Sequence, residues 1–196
     1  MQKIVVATNN KGKLKEFNRL CEGLGMEVLS LADFPQIGEI VEDGKTFDEN
    51  ALIKARAVYR ATGLAAIGDD SGLEVDYLGG APGIYSARYS GEHGNDKANN
   101  EKLLNELLGV PTDKRTARFR CSIGFVTREG KEYVVDGSCE GVILTEVQGE
   151  RGFGYDPLFF VEENGKSFAE LSLDEKNSIS HRGKANAKLL SLLKQI

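Results

Sequence analysis

Lys3-Ile4-Val5-Val6-Ala7-Thr8-Asn9-Asn10-Lys11-Gly12-Lys13-Leu14 opens the chain with four apolar residues, a polar turn and the first apolar position of a helix. The apolar run is too short for a signal-peptide core and reads as a strand. Leu14, Phe17, Leu20, Cys21 and Leu24 then recur at spacings of three and four, the period of a helix with one buried face. Gly25 is placed to end that helix, and Met26 to Leu31 returns to a strand pattern. β-loop-α-β is the start of an α/β protein.

Working outward, Thr46 and Glu49 form the spacing of a capping box. Phe47, Ala51, Ala55, Val58 and Thr62 mark one face of the helix that follows, and Gly63 closes it. Leu64 to Gly68 and Leu73 to Val75 read as short strands on either side of a turn, Asp69-Asp70-Ser71-Gly72. A glycine-rich loop leads to a helix from about Asn95 to Leu108, ended by Gly109 and Pro111. Ala117 to Thr127 alternates with period two, and Glu129-Gly130 turns it into Glu132 to Val135, an antiparallel hairpin. Strands over Gly141 to Leu144 and Leu158 to Val161 follow, then a second capping box at Ser172 and Glu175. A last helix carries Ala185, Leu189, Leu192 and Leu193. The pattern is mixed α/β with an antiparallel insertion.

The 196 residues suffice for one domain, 1–196, with a core of ordinary size. Glycine makes up 23 of them, about 12 % against a usual share of roughly 7 %, while proline is only 4, so the surplus marks turns and close backbone approach rather than disorder. The longest stretch without a charged residue, Tyr77 to Ala87, is eleven residues and holds three glycines and a proline, which excludes a membrane helix. Cys21, Cys121 and Cys139 are odd in number and form no CxxC pair, as expected of a reducing, cytoplasmic compartment without structural zinc. A net charge of −5 argues against nucleic acid as a partner.

Five groups could carry chemistry. Thr8 to Lys13, between a strand and a helix, aims free amides, the positive helix end and the Lys13 charge at an anion, unless it is simply a solvated turn. Asp69 and Asp70 repel one another, which suits magnesium with water and substrate phosphates, although Asp-Asp-Ser-Gly is also an ordinary surface turn. Glu39, Glu42 and Asp43 precede the Thr46 cap, where a carboxylate could complete a magnesium site with Asp70 or stay solvated; Asn50 and Lys54, four apart, share a helix face. Finally, Gly152-Phe153-Gly154-Tyr155-Asp156 leaves a ring able to stack on a flat ligand or to fold into the core, and His181-Arg182 could donate to carbonyl oxygens or serve as a cap.

Taken together and in this order, these segments resemble the inosine triphosphate pyrophosphatase (Ham1-like) family, the non-standard purine nucleoside triphosphate pyrophosphatases. The resemblance runs over Thr8 to Lys13, Thr46-Phe47 through Asn50-Ala51 to Lys54-Ala55, and Asp69 to Leu73. It continues through Leu78 to Arg88, Gly152 to Pro157, and Lys176 to Arg182. It implies a long mixed sheet flanked by helices, two lobes around a central substrate cleft, and a homodimer. The activity implied is magnesium-dependent cleavage of ITP, dITP and XTP to the monophosphate and pyrophosphate, cleansing the nucleotide pool. By the family pattern, Thr8, Asn9, Asn10, Lys11, Gly12, Lys13 and Lys54 face the triphosphate, Asp70 is general base and metal ligand, and Ser71 contacts substrate. Phe153, Gly154, Tyr155, Asp156, Lys176, His181 and Arg182 surround the base. Many relatives have Glu-Glu ahead of the Gly-x-Thr-Phe motif, whereas Val41-Glu42-Asp43 precede Gly44 here. Glu42 is therefore assigned as the second metal carboxylate, ahead of Asp43 and Glu49.

These roles make chemical sense. Lys13, Lys54 and magnesium would offset the charge of the triphosphate against an incoming water. Asp70 would take a proton from that water, with Asp69 raising its basicity by like charge. Arg182 and His181 would donate to O6 of hypoxanthine or xanthine, where adenine presents another donor. Two other readings keep the same contacts: a pyrophosphatase for pyrimidine or other modified nucleotides, and a non-hydrolytic nucleotide sensor.

Overall fold

The computed structural model describes residues 2–195. Strand β1 (Gln2–Val6) lies between two parallel neighbours, β2 (Met26–Ser30) and β3 (Ala65–Val75), with Ile4 opposite Val28 on one side and Ala65 on the other. The remaining strands are β4 (Thr116–Val126), β5 (Glu132–Ile143), β6 (Phe159–Val161) and β7 (Lys166–Ser167). Sheet order is β2-β1-β3-β4-β5-β6-β7, and the β5–β6 and β6–β7 pairs are antiparallel. The helices are α1 (Lys11–Glu22), α2 (Phe47–Thr62), α3 (Asp96–Glu106), α4 (Leu173–Ile179) and α5 (His181–Leu193). This is the mixed, helix-flanked sheet that the sequence pattern implies.

Three local readings change. Asp69-Asp70-Ser71-Gly72 is not a turn between short strands but the middle of β3, which runs unbroken from Ala65 to Val75. Its residues favour turns in isolation, yet they lie in an inner strand that pairs with β1 over Ala65 to Ile67 and has β4 as its other neighbour, and sheet pairing favours extended backbone. The patterns at Glu132 to Val135 and Gly141 to Leu144 fall on one strand, β5, which ends at Ile143. Gly141 keeps that strand intact because a Cβ there would stand 2.5 Å from the Phe160 carbonyl oxygen. Helix α1 ends at Glu22, and Gly25, at φ 65°, shapes the turn after it.

The chain divides into two compact units, one of residues 2–70, 121–136 and 185–195, the other of 71–120 and 137–184. In the first, period-two alternation gives the sheet two apolar faces. Ile4, Val6, Ala65, Ile67, Ile123 and Phe125 pack on Phe17 and Cys21 of α1 and on Ala185, Leu189 and Leu193 of α5. Val5, Ala7 and Ala66 pack with Val58 of α2. Helix α2 begins at Thr46, whose hydroxyl accepts from Glu49 N at 3.1 Å, and ends at Gly63, left-handed at φ 66°. It sits directly on the sheet because two positions beneath it have no side chain. A Cβ on Gly68 would be 2.3 Å from the Ala51 carbonyl oxygen, and one on Gly124 would be 2.8 Å from the Ala51 carbonyl carbon.

The core of the second unit is aromatic. Phe119, Phe159 and Phe168 contact one another, with Phe119–Phe159 centroids 4.6 Å apart and Phe159–Phe168 edge-on at 4.8 Å. Arg115 is buried there, and its guanidinium donates to the carbonyl oxygens of Ile143, Leu107 and Leu144 at 2.7 to 2.8 Å. The Ser172–Glu175 capping box starts α4 as expected. Helix α5 follows after Ser180 alone, and Gly183 permits this: a Cβ would lie 1.9 Å from the Asn177 carbonyl oxygen. Cys21, Cys121 and Cys139 are buried thiols. Among the described residues no helix is long and apolar enough to cross a membrane.

Candidate active site

In the first unit, the loop after β1 is organised by its own side chains. Thr8 Oγ1 accepts from Asn10 N, and Asn10 Oδ1 accepts from the amides of Gly12 and Lys13 at 2.9 and 3.1 Å. The Gly12 and Lys13 amides are thus capped by Asn10, and the groups this loop presents at the surface are the Asn9, Asn10 and Lys11 side chains at the positive end of α1. Lys13 turns to Asp69, with Nζ 2.7 Å from Oδ2. Asp69 is buried, so this pairing provides the counter-charge that burial demands.

Because successive strand side chains point to opposite faces, Asp69 meets α1 and Asp70 meets α2. Asn50 and Lys54, one turn apart on α2, both reach Asp70: Asn50 Nδ2 donates to Oδ2 at 3.0 Å, and Lys54 Nζ stands 4.0 Å from Oδ1. The same ammonium is 2.7 Å from Glu42. Burial pushes the Asp70 carboxyl above the usual carboxylate range, Lys54 and the Asn50 hydrogen bond oppose that shift, and Glu42 adds to it. Glu42 is thus a like charge that raises Asp70, while Asp69 pairs with Lys13.

Asn50 is a site residue that carried only a helix-face assignment in the sequence. It is 2 % exposed, and its Oδ1 accepts from Gly44 N at 2.9 Å while its Nδ2 holds Asp70. One amide thus ties the segment bearing Glu42 to the strand bearing Asp70. Glu49, a candidate metal ligand, instead accepts from Lys45 N at 2.6 Å as part of the α2 start. Asp43 is exposed. Among the described residues no group of three or more His, Cys, Asp or Glu side chains converges as a metal cage. Two carboxylates about one ammonium do fit magnesium, which takes one or two protein carboxylates and completes its shell with water and phosphate oxygens.

In the second unit, Ser71 Oγ accepts from Arg182 Nη2 at 3.1 Å. His181 and Arg182, read from sequence as an exposed pair, are both largely buried at the start of α5. The His181 ring stacks on Phe119 at 4.8 Å and 15°, because the aromatic core extends beneath it. Asp156 is buried too, accepting from Phe153 N at 2.9 Å and pairing with Lys176. Burial raises its carboxyl against the opposing pull of Lys176.

Phe153 is 65 % exposed, with Lys176 Nζ 4.8 Å above its ring. Its position is fixed through the backbone: Gly154 N donates to Asp96 at 2.7 Å, and Asn100 Nδ2 donates to the Gly154 carbonyl at 2.8 Å. Asp96 and Asn100 start α3 and carried no signal beyond helix-capping composition. Tyr155 is 4 % exposed and packs in the core, with its hydroxyl donating to the Ser86 carbonyl. The structure thus gathers Glu42, Lys54, Asp69, Asp70 and Lys13 in one unit, and Ser71, Phe153, Asp156, Lys176, His181 and Arg182 in the other.

A family model described as the Ham1 family matches residues 4–192. The chain is 56 % identical over 194 residues to the dITP/XTP pyrophosphatase of Desulforamulus reducens, covering 99 % of this chain and 96 % of the relative. It is 57 % identical to the protein of the same name from Geobacter sulfurreducens, over 96 % and 95 % of the two chains. Among solved structures, the Ham1 protein of Staphylococcus aureus superposes with a TM-score of 0.93 at 41 % identity, over 99 % of both chains. A HAM1 protein from Coxiella burnetii gives 0.94 at 39 % identity over the whole of both. A match of this extent, on this sheet and with these side chains in place, makes the chain a member of the Ham1 family.

Proposed function

We propose that this chain is a nucleoside-triphosphate pyrophosphatase, hydrolysing deaminated purine nucleotides (ITP, dITP and XTP) to the monophosphate and pyrophosphate, with residues 1–196 acting as one catalytic domain. The observation that carries the reading is Asp70, a half-buried carboxylate of raised proton affinity held by Asn50 beside Lys54 and Glu42. A base of raised affinity takes a proton more readily from water. Asp70 accepts that proton, the water oxygen bonds to the α-phosphorus, and the bond from that phosphorus to the bridging oxygen breaks. The electron pair leaves with pyrophosphate. Lys54 and Lys13 offset the phosphate charge, and Thr8, Asn9, Asn10, Lys11 and Gly12 line the polyphosphate. Magnesium, for which Glu42 and Asp70 are the proposed ligands, would neutralise further phosphate charge when bound.

Base recognition falls to the second unit. Phe153 offers a face for stacking, with Gly154 and Tyr155 framing it and Asp156 and Lys176 beside it. Arg182, steadied by Ser71, and His181 donate to the purine O6. Adenine presents an amino donor at that position, and an opposed pair of donors costs about 1–3 kcal/mol each. A homodimer in the cytoplasm is the assembly and location we assign; light scattering at micromolar concentration should give twice the mass of one chain, and a monomer refutes the dimer.

Turnover of ITP, XTP, ATP and GTP, with and without magnesium, tests the reading. Pyrophosphate should appear from ITP and XTP well ahead of ATP, and only with the metal. Equal rates for all four would overturn the specificity, and release of orthophosphate would overturn the reaction.

A further inference from the structure

Strand β4 presents Arg118, Arg120 and Ser122 to one side by alternation. Arg118 is fully engaged, 2.9 Å from Asp76, 3.0 Å from Glu140 and 3.9 Å from Glu74. The Ser122 hydroxyl is 2.5 Å from Asp48. Arg120, between them, is half-buried, and its Nε is shut off from solvent with no hydrogen-bond partner. No carboxylate among the described residues pairs with it. A guanidinium cannot relieve this by losing its proton, and a buried donor left unsatisfied is costly. Arg115 in the same unit is a useful contrast, since three carbonyl oxygens meet its donors. Where this fold uses an arginine for structure, it provides the acceptors.

We infer that Arg120 binds a phosphate group of a polyphosphate, either the pyrophosphate product or the same part of the bound triphosphate. Its planar fork matches two phosphate oxygens at once, a geometry a carbonyl or single hydroxyl does not fill. The neighbouring carboxylates of its own unit are already engaged, because Arg118 meets Glu74 near the end of β3 and Asp76 just beyond it, which leaves the Arg120 fork for an anion from outside the chain. The choice of a polyphosphate as the anion rests on the function proposed above.

The full chain, Arg120→Gln and Arg120→Lys are compared by calorimetric titration with inorganic pyrophosphate, by melting without ligand, and by ITP turnover. Arg120→Gln should bind pyrophosphate at least about tenfold more weakly, raise KM for ITP, and melt no lower than the parent, since no partner is lost. Arg120→Lys should bind with intermediate affinity. Unchanged pyrophosphate affinity in Arg120→Gln overturns the inference, including when that variant alters the oligomeric mass, which would mark a contact between copies. Should Arg120→Gln not fold, Arg120→Lys decides by the same affinity criterion. Arg120-dependent pyrophosphate binding in a chain that does not hydrolyse ITP would keep this inference and refute the proposed reaction.

Discussion

Asp70 is pulled two ways: burial favours its neutral form, and Lys54 and Asn50 favour its charge. Its proton affinity is raised on balance, so the fold tolerates the neutral group better than the ion. The folded state then binds more protons than the unfolded state between the two affinities, and stability contributed by this residue is present at low pH and lost as pH rises through the folded value. Asp70→Asn should therefore raise the melting temperature near pH 7 without metal, and the gain should disappear toward pH 4, while pyrophosphate release falls by about 10²- to 10⁴-fold. A variant that melts lower at neutral pH, or that keeps its rate, contradicts the role. Phe153 tests the other half of the substrate. Base stacking is worth about 1–3 kcal/mol, so Phe153→Ala should weaken ITP binding roughly 5- to 150-fold while leaving the affinity for inorganic pyrophosphate, which has no base, unchanged.

Helix α2 brings Asn50 and Lys54 to Asp70 only because Gly68 and Gly124 let it rest on the sheet. Gly68→Ala forces α2 away from a carbonyl 2.3 Å from the new carbon. The expected outcome is a loss of about 1–3 kcal/mol in urea unfolding, together with a fall in kcat, since both side chains move with the helix. At this scale the sequence was informative where periodicity and caps act alone: the boundaries of α2 follow from Thr46 and Gly63, and β4 from its alternation. It misled where long-range pairing overrides local preference, as at Asp69 to Gly72, whose turn-forming residues continue the extended run of the inner strand β3. The same limit applies to single residues. Asn50 and Asp96 act through hydrogen bonds to Asp70 and Gly154, 20 and 58 positions away, and nothing in their own neighbourhood marks those partners. His181 was legible as a donor but not as buried, because the rings it stacks on, Phe119 and Phe168, come from elsewhere in the chain.

For the molecule as a whole, neither compact unit is a continuous stretch of sequence. The first is assembled from three segments, and one of its two apolar faces joins Ile4 and Phe17 to Leu189 and Leu193. Deleting residues 185–196 should therefore abolish its cooperative unfolding transition rather than trim a peripheral helix; a truncated chain that still melts sharply with native near-ultraviolet dichroism would contradict this. The same arrangement sets a schedule for biosynthesis. Strand β1 and helix α1 leave the ribosome early but have only part of their packing surface to meet, since α5 is made more than 150 residues later. The apolar side of the first unit must wait, partly uncovered, until the last helix emerges, so chaperone occupancy during translation should be greatest on the nascent β1–α1 segment.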